Sequence, residues 1–479
     1  MSYETIIGLE VHSELKTKTK IFCNCSTKFG EEPNANTCPI CLGLPGTLPV
    51  MNEEVVNLAV KAGKAVGCRI NQLNKMDRKN YFYPDLPKAY QISQFDLPIC
   101  EEGLIKIETE DGIRDVRINR IHMEEDAGKL VHMEYEPYTL IDYNRVGVPL
   151  IEIVTEPDMR SIEEAITFFK TLKDILEYAG ISDCKMEQGS IRCDANISMR
   201  KVGDDKLNTR VELKNINSFK ELQKALEKEQ KRQLELYTYG EEHKIVQETR
   251  RWDSGKGKTI PMRSKEEAHD YRYFPEPDVI PIIVSDEIIA NAEATMPELP
   301  EIKKARLMSE YGISKKEVEV LVADKPLVDY FEELIACGCE SKLACNWILG
   351  DVLRVLKEEK ITANEFAITP AKLFKLLALV SESKISTTAA KTVFEEMLKS
   401  WKEPEEIVKE KGLSQISSLD TIDPIIEEVI KNNPSVVEQY KEGKTQVQGF
   451  LVGQIMKATK GKANPKMVAE LLVEKLNSI

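Results

Sequence analysis

Between Ile121 and Asp158 the chain sets Glu124, Glu125, Asp126, Asp142, Glu152, Glu156 and Asp158 among residues such as Leu150, Ile151, Ile153 and Val154 that read as strand interior. Burying an unpartnered carboxylate costs several kcal/mol. A fold that takes this stretch into a sheet must therefore turn the acids to water as an exposed tip or bring positive charge among them. A hard divalent cation is the economical source, because Mg²⁺ takes oxygen ligands, keeps waters and needs only one or two protein carboxylates together with phosphate oxygens. The segments His122 to Lys129 and Leu150 to Val154 are expected to lie at strand ends around such a site.

The amino-terminal stretch Glu4 to Leu15 alternates with period two, placing Glu10, His12 and Glu14 on one face and Leu9 and Val11 on the other. That polar face is either a solvated edge or part of the same cation site. Cys23-x-Cys25 and Cys38-Pro-Ile-Cys41 follow. Two close cysteine pairs joined by a loop deliver four thiolates to a tetrahedral Zn²⁺, and four sulfurs leave no open position, so the zinc would be structural. The total of eleven cysteines is odd. The first ten residues lack a secretion leader, which favours reduced thiols and metal ligands over a disulfide framework.

A chain of 479 residues accommodates two to four domains. Helical spacing covers Asn52 to Val66, and Asp111-Gly112 marks a hairpin. Ser161 with Glu164 reads as a capping box ahead of a helix closed by Gly180. In Asp77 to Lys88 and onward to Phe95, the aromatics Tyr81, Phe82, Tyr83, Tyr90 and Phe95, interleaved with Lys79 and Lys88, either stack and pair with nucleotides or, the favoured expectation, anchor a proline-containing loop to the core, with the roles of the two lysines open. Ile191 to Met199 and Arg210 to Ser218 alternate as strands, turning Arg192, Asp194 and Asn196, and Arg210, Glu212 and Lys214, to one side. Those residues form either a face for a charged ligand or a network of mutual salt bridges. Phe219 to Leu236 is amphipathic helix. Gly255 to Thr259 mimics the end of a phosphate-binding P-loop, but the first glycine of that motif is replaced by Trp252.

Beyond Met296-Pro-Glu-Leu-Pro300 strand patterns cease. Helices follow, including one over Leu343 to Leu356, with a second boundary at Lys402-Glu-Pro404. Near the end, Lys457, Lys460, Lys462 and Lys466 share one loop that either grips RNA phosphate or is simply solvated. A net charge of −14 confines any RNA contact to such patches. No apolar run is long enough to span a membrane, so a cytoplasmic protein without membrane contact is expected.

With these motifs laid out, the chain resembles the B subunits of the bacterial tRNA-dependent amidotransferases, over essentially its whole length. The resemblance rests on Ile7-Gly-Leu-Glu-Val-His12, Asp77-Arg-Lys-Asn-Tyr-Phe-Tyr-Pro84, His122-Met-Glu-Glu-Asp-Ala-Gly-Lys129, Pro149-Leu-Ile-Glu-Ile-Val154, Gly189-Ser-Ile-Arg-Cys-Asp-Ala-Asn196, Glu212-Leu-Lys-Asn215, Asp270-Tyr-Arg-Tyr-Phe-Pro-Glu-Pro-Asp278 and Gly449-Phe-Leu-Val-Gly-Gln-Ile-Met456. It implies an α+β fold: a cradle-shaped catalytic domain resembling glutamine synthetase over 1–295, a helical domain over 296–402, and a small YqeY-like helical tail over 403–479 that touches tRNA.

The implied reaction is that of a carbon–nitrogen ligase with glutamine as amido donor. ATP phosphorylates the side-chain carboxylate of Glu-tRNA or Asp-tRNA, and ammonia made by a partner amidase displaces the phosphate. That amidase and a third, small protein would make the assembly a heterotrimer. The family's Mg²⁺ ligands carry over onto His12, Glu125 and Glu152 with Glu10 close by, and Mn²⁺ is compatible with the imidazole. Its zinc cysteines match Cys23, Cys25, Cys38 and Cys41. Arg192 or Lys214 would neutralise accumulating negative charge, Glu125 would deprotonate ammonium, and an ammonia tunnel would open near Lys79, Tyr81 and Glu125, with Tyr81 and Lys88 serving substrate or tunnel. The competing expectations are a non-catalytic, zinc-containing tRNA-binding adaptor and a free-standing ligase acting on free glutamate.

Overall fold

The period-two pattern of the amino terminus becomes the long central strand of a twelve-stranded sheet. The computed structural model describes residues 2–133, 136–264, 270–415, 419–441, 444–459, 463 and 465–478. It divides the chain into two units, Met1–Ile302 and Lys303–Ile479.

In chain order the strands of the sheet are β1 (Tyr3–Glu14), β2 (Arg69–Ile70), β3 (Asp77–Asn80), β4 (Tyr90–Ser93), β5 (Cys100–Thr109), β6 (Gly112–Glu125), β7 (Pro149–Thr155), β8 (Ile191–Lys201), β9 (Val211–Lys214), β10 (Glu248–Asp253), β11 (Lys258–Ser264) and β12 (Phe274–Pro275). Their spatial order is β11-β10-β9-β8-β1-β7-β6-β4-β3-β12, with β5 in a hairpin with β6 and β2 paired to β5. Neighbours run antiparallel except β9 and β10. A parallel pair needs a long crossover, and helix α3 (Phe219–Thr238) supplies it.

Helices α1 (Glu53–Ala65), α2 (Ile162–Tyr178) and α3 contribute to the same core as one face of this sheet. Ile7, Leu9 and Val11 of β1, Ile151 and Ile153 of β7, and Cys193, Ala195 and Ile197 of β8 point into it with Phe168, Phe169, Leu172 and Leu222. Each such fully buried large side chain contributes roughly 1.5–3 kcal/mol. The intervening residues of the same strands, among them Glu10, His12, Glu14, Glu152, Arg192, Asp194 and Asn196, are only partly covered. One face of the sheet is thus core and the other is polar.

The start of α2 differs from a closed capping box. Ser161 accepts the Glu164 N–H, but the Glu164 carboxylate accepts from the Arg160 N–H at 2.6 Å and from Arg114 Nε at 2.6 Å. The guanidinium draws it away from the N-cap backbone.

In the second unit the expected helix over 343–356 is interrupted by a π turn at Ile348–Val352, between helices Ser341–Trp347 and Leu353–Glu359. The helix Pro404–Lys411 packs against Pro370–Ser381 and Thr387–Ser400. Residues just past Lys402 therefore continue that layer, and Pro404 starts a helix there. A separate core begins later, where Ile422, Ile426, Leu451, Ile455, Val468 and Leu472 pack together.

Candidate active site

The polar sheet face gathers its charges by strand register. His12 of β1 lies opposite Glu152 of β7 and Arg192 of β8, and Glu152 lies opposite His122 of β6. His12 Nε2 and His122 Nε2 are each 3.3 Å from the same Glu152 oxygen, and each is 3.8 Å from a Glu124 oxygen. His12, Glu124 and Glu152 offer ligand atoms that all lie within 4.8 Å of one another.

Of the three cation ligands that the family resemblance implies, His12 and Glu152 are brought together and Glu125 is not. Successive strand residues point to opposite faces, so Glu124 shares the face of His122 while Glu125 looks the other way. There Glu125 accepts from Lys88 Nζ, from the Ile92 N–H at 2.9 Å, and lines a small cavity of about 70 Å³ with Lys20, Tyr90 and Gly147. Sequence reasoning set Glu124 and the segment from His122 around the site but assigned neither residue as a ligand, although the period-two argument applied to Glu10 and His12 selects them.

The electrostatics fit a cation. Glu124 is 3% exposed, and its charged neighbours within ion-pair distance among the described residues are the two imidazoles. Burial pushes the Glu152 carboxyl up, yet His122 and His12 outweigh it and hold the group well below the usual carboxylate range. Burial opposes charge on His12, but Glu152 and Glu124 raise it above its ordinary value. A mixed nitrogen and oxygen donor set of this kind suits Mn²⁺ as well as Mg²⁺.

Around this point lie the other predicted residues. Glu10 accepts from Asn196 at 2.9 Å, and burial, then Glu152, raise its carboxyl. Glu10 also lines a cavity of about 550 Å³ with Ile6, Gly8, Val154, Ser198 and Asn208. Arg192 is committed to Asp126 at 3.0 Å, and Lys214 to Asp194 at 2.5 Å and Glu212 at 2.9 Å, so both cations already have carboxylate partners. Lys79 has none within ion-pair distance among the described residues; its ammonium lies 4.9 Å from the centre of the Tyr271 ring. Burial opposes its charge, but Glu124, Tyr273 and Glu152 raise its pKa. Tyr81 packs edge-on to Tyr271 at 6.0 Å, and burial raises its phenol. The expected aromatic anchoring is overturned for Phe82, Tyr83 and Phe95, which are 89%, 55% and 49% exposed. The turn at Pro84 to Pro87 is closed by backbone hydrogen bonds, so it does not need those rings inside.

Cys23, Cys25, Cys38 and Cys41 converge, each offering sulfur within 4.8 Å of the others. The Cys38 N–H donates to Cys41 Sγ at 3.1 Å, and the buried Lys20 Nζ lies 3.8 Å from it. A hydrogen bond from Cys23, then the Cys38 N–H and then Lys20, outweigh burial and pull the Cys41 thiol down to about 5. Thiolate character of that kind suits zinc. In the tail, Lys457 lies in the last turn of helix Gln448–Ala458. Lys460, Lys462 and the Lys466 side chain lie outside the described residues. No helix among the described residues is long and apolar enough to cross a membrane.

An α+β unit with an imidazole–carboxylate site on its polar sheet face, followed by a helical unit, is the organisation that the family comparisons meet. The family model described as the GatB/GatE catalytic domain matches residues 5–290, and the GatB domain matches residues 329–476. The chain is 65% identical over 477 residues to the second aspartyl/glutamyl-tRNA(Asn/Gln) amidotransferase B subunit of Clostridium acetobutylicum, covering 100% of each chain. It is 63% identical over 479 residues to the B subunit of Clostridium beijerinckii and 54% identical over 477 residues to that of Thermoanaerobacter pseudethanolicus, once more covering 100% of each. The chain belongs to the family of aspartyl/glutamyl-tRNA(Asn/Gln) amidotransferase B subunits.

Proposed function

We propose that this chain activates the side-chain carboxylate of Glu-tRNA or Asp-tRNA with ATP and amidates it with ammonia from a partner amidase, in a heterotrimer completed by a third, small protein. The observation that carries this reading is the convergence of His12, His122, Glu124 and Glu152 beside Lys79, whose ammonium meets no carboxylate among the described residues. An adaptor that only held tRNA would have no use for buried carboxylates aimed at one point.

His12, Glu124 and Glu152 would hold the divalent cation, which when bound would neutralise phosphate charge and align the γ-phosphate. Lys79 would draw the substrate carboxylate in, because its charge is not already spent on an ion pair. Gly8 leaves room over the sheet beside Glu10, and a cavity of about 550 Å³ is in the size range of small-molecule sites; we assign it to the base and ribose of the nucleotide. Arg192 and Lys214 act by fixing Asp126 and by fixing Asp194 and Glu212. Glu125, behind the strand with Lys88, is the base assigned to ammonium. Cys23, Cys25, Cys38 and Cys41 would hold a structural zinc.

The test is ATP-dependent phosphate release and amide formation by the assembled enzyme with Glu-tRNA. Glu124→Gln is expected to abolish both. Glu125→Gln is expected to keep tRNA-stimulated phosphate release and lose amide formation. Amidation of free glutamate at the same rate, or full activity of Glu124→Gln, would overturn the reading.

A further inference from the structure

The rings that surface beside Lys79 form a connected series. Tyr81 packs on Tyr271 at 6.0 Å, Tyr271 on Tyr273 at 6.1 Å, and Tyr273 stacks on Phe95 with ring centres 4.1 Å apart and planes within 10°. Phe95 is half exposed, and nothing in the core requires a stacked pair at this place.

Between the two tyrosines Arg272 adopts a left-handed backbone with φ of 46°, which a side chain with a Cβ takes only at a cost. Three hydrogen bonds hold it there: Asn80 Nδ2 donates to the Arg272 carbonyl at 2.9 Å, the Asn80 N–H to the Tyr271 carbonyl at 2.9 Å, and the Arg272 N–H to Asp270 at 3.0 Å. Arg272 itself is exposed, between the two partly buried tyrosines. Among the described residues neither Arg272 nor Lys79 meets a carboxylate within ion-pair distance, while Arg78, Lys88, Arg145, Arg192 and Lys214 nearby all do. Two cations without an ion-pair partner among the described residues, in a chain of net charge −14, argue for an anionic occupant, and the half-exposed Phe95 ring with Tyr273 stacked behind it argues for one with bases to stack. Single-stranded nucleic acid has both properties and is held in this way; a duplex hides its bases from such rings.

We propose that Phe95, Tyr273 and Arg272 form the platform on which the terminal base of the aminoacylated RNA stacks, so that the esterified amino acid extends along the rings to Lys79. This rests on the function proposed above. An esterified glutamate spans on the order of 10 Å from its side-chain carboxylate to the sugar and base that carry it, at about 1.5 Å per bond. Contacts of 4.9 and 6.1 Å lead from Lys79 through Tyr271 to Tyr273, a path comparable with that reach.

The probe is tRNA carrying 2-aminopurine in place of the terminal adenosine, with tRNA lacking that nucleotide as its pair, titrated onto the assembled enzyme. Stacking is expected to quench the probe. Removing the terminal nucleotide is expected to weaken binding to the unaltered enzyme about five- to a hundredfold and to leave the affinity of Phe95→Ala/Tyr273→Ala for tRNA unchanged. Phe95→Trp keeps a ring and is expected to restore the quench, which separates stacking from misfolding. Equal losses in the unaltered and doubly substituted enzymes overturn the platform, as does a double substitution that only impairs assembly with a partner protein. An unaltered enzyme that stacks the base but fails to amidate Glu-tRNA sinks the proposed reaction and spares the platform.

Discussion

Replacing His122 tests the architecture of the site at a single atom. Its side chain is 5% exposed, its Nε2 lies 3.3 Å from the Glu152 oxygen that His12 also faces, and its Nδ1 is buried with no hydrogen-bond partner. A buried N–H without an acceptor is rarer and costlier than a lone pair without a donor. In the neutral imidazole the proton therefore belongs on Nε2, where it donates to Glu152. His122 then acts as a positioning residue, turning the carboxylate toward His12. Removing such an outer partner costs roughly 10- to 100-fold in metal affinity, or about 1.4–2.7 kcal/mol. His122→Phe should weaken Mn²⁺ binding to the full chain by about that factor, read from the resonance of the free ion as Mn²⁺ is titrated in. His122→Gln, whose amide N–H reaches the same oxygen, should recover most of the affinity. Unaltered Mn²⁺ binding by His122→Phe, or a His122→Gln variant as weak as His122→Phe, would refute the reasoning, provided both variants melt as the unaltered chain does.

Three further outcomes are expected. Cys38→Ser/Cys41→Ser should abolish bound zinc, measured by elemental analysis, and open the chain between Cys23 and Cys41 to proteolysis; zinc retained at about one equivalent would show that the cluster is not the site. Arg78 makes paired hydrogen bonds of 2.6 and 2.9 Å to the fully buried Glu276 carboxylate, so Arg78→Met should destabilise the first unit by about 3–5 kcal/mol, while adding Glu276→Gln should recover much of the melting temperature. Burial, then Asp126, push Glu14 up from 4.5 to about 7. The folded chain keeps a proton there that the unfolded chain has lost, so this contribution to stability falls as pH rises between those values and is flat above them. Glu14→Gln should therefore raise the melting temperature more at about pH 8 than at about pH 5, and an equal shift at both would contradict the assignment.

Much of the architecture was legible because it is written in periodicity. The alternation around Glu10 and His12, and around Arg192 and Asp194, placed both strands and faces, and Ser161 marked a helix start. The four cysteines were found by spacing alone. What failed did so for physical reasons that a residue list hides. Glu124 and Glu125 are adjacent in sequence and opposite in orientation, and a motif carried over as a unit does not say which one faces the cation. Aromatics near a proline were expected to go inward, but backbone hydrogen bonds closed that loop without them. For Arg192 and Lys214 the sequence left open a ligand face or a salt-bridge network, and only the strand pairing that sets Asp126, Asp194 and Glu212 beside them decides for the network.

The back-to-back placement of Glu124 and Glu125 means that a single peptide unit serves as a partition. Ammonium handled on the zinc-loop side and a reactive acyl phosphate on the other would be insulated from each other until the last step, with only the thickness of one strand to cross. Water that leaked through such a wall would hydrolyse the activated substrate, so the paired hydrogen bonds of Asp126 with Gly147 and Val148, just ahead of β7, would serve as a seal as well as a scaffold.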